Sequence, residues 1–511
     1  MGGAAGSGIS KASRKEGKLL RIVFVASEGV PFSKTGGLAD VVGALPKALA
    51  RLGHQLEVVL PRYRMTKPGK PEPTMQSLTL PLGDGFKFAS IQDAGAADNV
   101  QTCLVDCPSL FDRPGLYQEA GEDYPDNAQR FAAFSLAALE LAKRSATPPD
   151  IIHCHDWQTA LVPIYLRNLY HEDEFFRNTS VVFTIHNVGY PGLFPSAVLP
   201  QISLSRDLFT MDFLEYYGKV NLLKGGIVFS DFITTVSRKY AQEIQTKEFG
   251  SGLEGVFRAR RDRLQGILNG VDYDLWDPAT DKLIAAHFSP ESMSGKTPCK
   301  KALLERMGVK TPRLERPVLG IVSRFASQKG FDLIAEVAER LAALDIYIVA
   351  LGTGEPVYEE LFRVMASRYP DKFLVSVAYD NTLAHQIEAG SDMFLMPSRY
   401  EPCGLNQIYS LKYGTVPIVR ATGGLDDTIE AFDGKSGTGF KFSEYTGAAL
   451  LRAIEQAIAA YHQPEVWRQL VNNGMRKDFS WGRSAEQYLE IYQTLQARTA
   501  ALEPVAGTLN A

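Results

Sequence analysis

Two cations stand five residues apart in Ser323-Arg324-Phe325-Ala326-Ser327-Gln328-Lys329-Gly330, and Glu401 precedes the turn Pro402-Cys403-Gly404-Leu405. Fixed positive groups such as Arg324 and Lys329 can stabilise the negative charge that develops on a departing nucleoside diphosphate, without help from a metal. The Pro-Cys-Gly turn can hold the Glu401 carboxylate and leave backbone N–H groups for sugar or phosphate oxygens. Two glycine pairs suit the same ligand. Lys34-Thr35-Gly36-Gly37-Leu38 lets backbone amides approach an anion at a helix start, with Lys34 adding a full charge. Thr422-Gly423-Gly424-Leu425 offers a second nest of this kind. The first has a bland rival, a glycine turn beside a solvated lysine. The first is not a Walker loop, because no Gly-Lys-Ser/Thr follows at the required spacing.

Polar residues also follow two apolar runs as His153-Cys154-His155-Asp156-Trp157-Gln158 and His186-Asn187. Clustered histidines raise the question of zinc. His153 and His155 alternate along a strand, however, and no acidic residue completes a ligand set, so no metal and no cofactor are assigned. Asp156 and His186 read instead as partners for sugar hydroxyls, with a satisfied structural hydrogen bond as the rival for either alone. The five cysteines, odd in number and irregularly spaced, form no disulfide framework and point to a reducing compartment. Cys103 and Cys107 read as buried thiols.

These residues need elements that bring them together. Short β-branched runs at Leu20 to Ala26, Leu56 to Leu60, Ile151 to Cys154, Val181 to Ile185 and Phe232 to Val236 predict buried parallel strands. After a loop-rich stretch the pattern restarts with Val318 to Val322, Ile346 to Leu351, Phe373 to Val377, Met393 to Met396 and Val416 to Val419. Helical segments such as Asn127 to Lys143 and Asp332 to Leu344 supply the crossovers. A chain of 511 residues is too long for one core, so the expected fold is α/β, with two doubly wound domains and ligands in the cleft between them. A net charge of −4 argues against nucleic acid as the main ligand, and no apolar run approaches the ~18 residues a membrane span needs. Residues 1–19 and 501–511 read as flexible tails, the first too polar for a secretory signal and with Gly6 where myristoylation expects a hydroxyl.

Six motifs occur together: Lys34-Thr35-Gly36-Gly37-Leu38, His155-Asp156-Trp157, Thr184-Ile185-His186-Asn187, Ile267-Leu268-Asn269-Gly270-Val271-Asp272, Ser323-Arg324 with Gln328-Lys329-Gly330, and Glu401-Pro402-Cys403-Gly404-Leu405. In that order, from about Leu20 to about Ala497, the chain resembles bacterial glycogen synthases and plant starch synthases. The resemblance implies a GT-B fold of two facing Rossmann-like domains, residues 20–268 on the acceptor side and 272–481 on the donor side, with a helix over 482–500 packing back on the first domain. It implies a cytoplasmic enzyme, or one of the plastid stroma, that moves glucose from ADP-glucose, with UDP-glucose as the alternative donor, onto an α-1,4-glucan.

Carried over by residue, the resemblance sets Lys34, Gly36 and Gly37 against the donor's phosphates and glucose, and Arg324 and Lys329 against the diphosphate. Glu401 would contact the transferred glucose, aided by backbone groups of Cys403, Gly404 and Leu405. His186, Asp156 and Asn269 would line the same pocket. Tyr379 resembles the family's aromatic contact to the nucleoside, although Ala378 precedes it where the family has glycine. Tyr409 stands where many other glycosyltransferases carry a ribose-binding glutamate.

Overall fold

The computed structural model describes residues 18–66 and 76–502, so most of both predicted tails lies outside the described residues. Nine strands form the first sheet: β1 (Arg21–Val25), β2 (Gln55–Pro61), β3 (Gln76–Leu82), β4 (Gly85–Ala97), β5 (Val100–Asp106), β6 (Ile151–His155), β7 (Ser180–Ile185), β8 (Phe232–Thr235) and β9 (Leu264–Gly266). Their spatial order is β9-β8-β7-β6-β1-β2-β5-β4-β3. All pairings are parallel except β3 with β4 and β4 with β5. Every residue of β1, β6 and β7 is buried, as expected of strands covered on both faces by helices.

The second sheet has six strands: β10 (Val318–Val322), β11 (Tyr347–Leu351), β12 (Phe373–Ser376), β13 (Met393–Met396), β14 (Val416–Arg420) and β15 (Phe440–Phe442). It is parallel throughout, in the order β12-β11-β10-β13-β14-β15. Each sheet has a switch point among its parallel strands, between β1 and β6 in the first and between β10 and β13 in the second. Such switch points open a crevice beyond the strands' carboxyl ends. The loops leaving these four strands carry Lys34, Asp156, Arg324, Lys329 and Glu401.

The chain crosses between the halves twice at one place. Val271 N–H donates to the Phe479 carbonyl at 2.8 Å, and Ser484 Oγ to the Leu268 carbonyl at 2.6 Å. A Cβ on Gly270 would lie 2.6 Å from Trp481 Cα, so the crossing is too tight for a side chain. The final helix, Trp481–Leu502, then lies on helix Gly37–Arg51, burying Trp481, Ala485, Tyr488, Tyr492 and Leu495 with Leu38, Val41, Leu45 and Leu49. It runs two residues into the segment expected to be the C-terminal tail. Tyr492 Oη meets His153 Nδ1 at 2.8 Å, fastening the helix beneath β6, the strand that Asp156 follows.

Candidate active site

On the second half, β10 hands over to the loop with the two cations, and a 3-10 turn at Ser327–Lys329 leads to helix Phe331–Ala343. Gly330 joins the two at φ +79°, a left-handed conformation, with its missing Cβ 2.0 Å from the Pro397 carbonyl oxygen. Lys329 Nζ donates to Glu401 Oε2 at 2.6 Å, and Ser398 Oγ donates to the same oxygen at 3.0 Å. Glu401 is buried, so these two donors compensate a carboxylate largely removed from water. Gln407 Nε2 donates to the carbonyls of Cys403 and Gly404, both at 3.1 Å, which pins the following turn. Burial pushes the Cys403 thiol up to about 12, so it supplies backbone rather than a thiolate.

Arg324 is exposed and forms no ion pair among the described residues. Its Nη2 is steadied by Tyr190 Oη at 3.3 Å and Gln328 Oε1 at 3.5 Å. A guanidinium held by neutral acceptors keeps its charge available to an anion.

On the first half, the amides of Thr35 and Gly36 donate to the buried carboxylate of Glu28, which also accepts from Tyr117 Oη at 2.6 Å. Part of the glycine loop's amide capacity is therefore used internally, and Glu28 shapes the loop ahead of helix Gly37–Arg51. Lys34 Nζ lies 2.7 Å from Asp40 Oδ1 on the exposed rim. Nothing stands within 4 Å of a Cβ on Gly36, so this glycine opens onto solvent rather than onto packed protein.

Asp156 sits at φ +57° and ψ −178°, outside the favoured regions for a non-glycine residue, immediately after β6. The strain lets its Oδ1 accept the His186 N–H at 2.7 Å across the end of β7. Desolvation pushes its carboxyl up to about 7, with the Glu28 charge adding to the rise and the amides of His186 and Asn187 opposing it. His186 is held down to about 3 by burial, hence neutral, with Nε2 engaged to His155 Nδ1 at 3.0 Å. Its Nδ1 is the ring nitrogen left for a ligand.

A folded pKa raised above the ordinary carboxylate value makes a stability contribution that is complete below about pH 4 and is lost as pH rises through about 7. Asp156→Asn removes the ionising group, so it should raise the melting temperature more at pH 8.5 than at pH 5. A difference between variant and parent that stays constant from pH 5 to 8.5 would contradict this assignment.

The two halves touch around these loops. A Cβ on Gly37 would stand 3.9 Å from Leu405 Cδ1, and Tyr190 of the first half reaches Arg324 of the second. Ser237 Oγ donates to the Pro402 carbonyl at 2.6 Å. Asn269 is buried at the crossing, with its backbone N–H on the Cys403 sulfur and its side-chain oxygen without a hydrogen-bond partner. An orphaned buried acceptor is costly unless something occupies it, and a sugar hydroxyl would.

One expectation needs amendment. The Thr422-Gly423-Gly424 nest is not open to a phosphate: Glu243 of the first half accepts from Thr422 Oγ1 and from the Gly423 amide, each at 3.1 Å. The Gly424 amide donates to the Glu401 and Pro402 carbonyls at 3.0 and 3.2 Å. These glycines are required because backbone approaches them, with added Cβ atoms 1.9 Å from the Glu401 oxygen at Gly423 and 1.9 Å from the Cys403 oxygen at Gly424. Tyr379 follows β12, the edge strand, two strands away from β10, and the residue is 86% exposed. It is at the end of the sheet that carries the other loops but is not packed with them. Tyr409 is buried and stacks on Trp276 with centroids 3.9 Å apart, a contact within the second half.

Comparison with known proteins bears on this arrangement. Residues 21–259 match the family model of the starch synthase catalytic domain, and residues 305–475 that of glycosyl transferases group 1. The chain is 56% identical over 476 residues to the glycogen synthase of Koribacter versatilis (strain Ellin345), covering 93% of this chain and 98% of that one. The chain belongs to the glycogen synthase family. Glycogen synthase from Anaeromyxobacter dehalogenans (strain 2CP-C) is 46% identical over 93% of this chain and all of its own length. Among solved structures, the catalytic domain of starch synthase IV from Arabidopsis thaliana, bound to ADP and acarbose, superposes with a TM-score of 0.85 at 36% identity, covering 94% of this chain and 100% of that one. The sucrose-phosphate synthase of Thermosynechococcus elongatus, at 17% identity and a TM-score of 0.59, shares the fold. As a glycogen synthase family member the chain is a hexosyltransferase with the GT-B fold. No helix among the described residues is long and apolar enough to cross a membrane.

Glu28, Ser398, Tyr190, Ser237 and Glu243 were not singled out by sequence reasoning. Glu28 was within reach, since it is an acidic residue at the end of the first strand beside a glycine loop. Ser398 was also local, three residues before Glu401, whereas Tyr190, Ser237 and Glu243 act across chain separations that no local pattern reveals.

Proposed function

We propose that the protein transfers glucose from ADP-glucose to the non-reducing end of an α-1,4-glucan with retention of configuration, residues 20–268 forming the acceptor side and 272–481 the donor side. The observation that carries this reading is the Lys329–Glu401 pair at the second sheet's switch point, with the unpaired Arg324 guanidinium beside it and the first half's glycine loop facing Leu405. Lys329 and Arg324 take the diphosphate, with Lys34 approaching from the first half. Glu401 faces the transferred glucose. Gly36 leaves open space for the donor's approach, amides of Gly37, Cys403, Gly404 and Leu405 take phosphate or sugar oxygens, and His186 Nδ1, Asp156 and the orphaned Asn269 oxygen take sugar hydroxyls. The exposed Tyr379 ring is available to a nucleoside face. A solved relative's binding of ADP and acarbose, a nucleotide with a sugar chain, supports this pairing of ligands.

In the transfer, the bond from glucose C1 to the β-phosphate oxygen breaks and a bond from C1 to the acceptor's O4 forms. The acceptor proton passes to the departing phosphate, whose charge the cations hold, on the face where the leaving group departs. No pair of carboxylates in the arrangement of a double-displacement glycosidase is assigned here. The five cysteines are buried and unpaired, in keeping with a reducing compartment such as the cytoplasm.

The test is incorporation of labelled glucose into glycogen from ADP-glucose and, separately, UDP-glucose, followed by digestion of the product with an α-1,4-specific hydrolase. ADP-glucose should be used preferentially and the label released as α-1,4-linked sugar. Preference for UDP-glucose, or another linkage, would overturn the proposal.

A further inference from the structure

The Glu401 loop is held from the other half of the molecule. Helix Arg238–Glu243 of the first half begins at Ser237, whose hydroxyl donates to the Pro402 carbonyl at 2.6 Å, and ends at Glu243. The Glu243 carboxylate is buried, and desolvation raises its pKa. It accepts from the Thr422 hydroxyl and the Gly423 amide, each at 3.1 Å. On the far side of that glycine pair, the Gly424 amide donates to the Glu401 carbonyl at 3.0 Å, and the backbone of Glu401 and Cys403 lies against the glycines too closely for any Cβ. A second strap runs beside it, from the Lys239 amide to Asp427 Oδ2 at 2.9 Å. A buried carboxylate that accepts only from the opposite half contributes little to its own half's core, and its hydrogen bonds exist only while the halves are docked.

We propose that Glu243 is a positioning residue of the glycosyl transfer: through Thr422 and Gly423 it sets the Glu401–Leu405 loop, so that the donor-side carboxylate and amides come into register only against the acceptor-side half. The inference rests on the reading that Glu401 and its turn face the transferred glucose. Glu243 touches neither ligand in this scheme. Its loss leaves Arg324 and Lys329 on their own loop, so nucleotide affinity survives while the reacting groups lose alignment. A misplacement of the order of 1 Å can cost up to about a hundredfold in rate.

The experiment compares Glu243→Ala, Glu243→Gln and Ser237→Ala in the full chain, measuring kcat with ADP-glucose and glycogen, the ADP dissociation constant, the melting temperature, and the ratio of ADP released to glucose incorporated. Glu243→Ala is expected to lower kcat about 10- to 100-fold with ADP affinity nearly unchanged, and to raise the release-to-incorporation ratio as water competes with a misaligned acceptor. Glu243→Gln, which keeps one acceptor oxygen, should recover much of the loss, and Ser237→Ala should show the same signature more weakly. Unchanged kcat, or a kcat that falls only in step with folded fraction or ADP affinity at a constant ratio, would overturn the proposal. Glu401→Gln separates the two readings. If it retains normal turnover, the assignment of Glu401 falls; the strap then stands or falls by the Glu243 variants, acting on the Cys403–Leu405 amides.

Discussion

Lys329→Ala is expected to lower kcat for glucosyl transfer about a hundredfold or more, the scale seen when one preorganised charge-stabilising donor is removed. Two losses combine. The departing diphosphate loses a cation fixed beside it, and the Glu401 carboxylate loses its ion-pair partner at 2.6 Å and keeps only the Ser398 hydroxyl. A buried carboxylate stripped of its counter-ion is strongly disfavoured, so Glu401 would swing away from the sugar. Lys329→Arg should not rescue the rate, because a larger planar fork does not reproduce a compact point charge donating to the Glu401 oxygen that Ser398 also serves. Arg324→Ala should reduce kcat comparably while leaving the Lys329–Glu401 pair intact. Initial rates at saturating donor and glycogen decide the matter; near-normal turnover in Lys329→Ala would remove the diphosphate role assigned to it.

Gly330→Ala should be among the most damaging single-methyl additions in the chain. An alanine at φ +79° costs ~1–2 kcal/mol in backbone conformation alone, and its Cβ would stand 2.0 Å from the Pro397 carbonyl oxygen, a contact that cannot persist. Either Lys329 or the Pro397-Ser398 backbone must move, and both lead directly into the ion pair. The expected loss is ~3 kcal/mol or more of stability, or ~6 °C or more in melting temperature, with at least a tenfold fall in kcat. Gly53 provides the control. It has φ +97° but nothing within 4 Å of an added Cβ, so Gly53→Ala should show the conformational cost without the clash or the loss of rate. Equal effects at the two positions, measured by thermal unfolding and initial rates, would refute this account of Gly330.

Much of the fold could be read from the chain because its central strands are buried on both faces and so stand out as β-branched runs. The hairpin of β3 and β4 escaped for the opposite reason. Leu78, Leu80 and Leu82 alternate with exposed Ser77, Thr79 and Pro81, and Gly83-Asp84 makes the turn, a half-buried pattern that a search for continuous apolar runs passes over. The candidate site was legible where polar residues follow a strand, as at Asp156, Arg324, Lys329 and Glu401. The candidate site was illegible where a contact exists only after the halves meet. Glu243 and Ser237 lie on a short helix with no motif, more than 150 residues from the loop they hold. The Thr422-Gly423-Gly424 loop shows the limit of glycine as a signal. A glycine pair reports that something approaches closely, but here the approaching groups are the protein's own backbone and the Glu243 carboxylate.

The central claim is that the two halves aim fixed cations of the second sheet's switch point at the pyrophosphate leaving group. A crystal structure of the protein with ADP tests it most directly. The account predicts β-phosphate oxygens within ~3 Å of Lys329 Nζ and the Arg324 guanidinium, beneath the glycine loop of the first half. A diphosphate bound elsewhere, with Lys329 still committed to Glu401 alone and Arg324 to Tyr190, would contradict it.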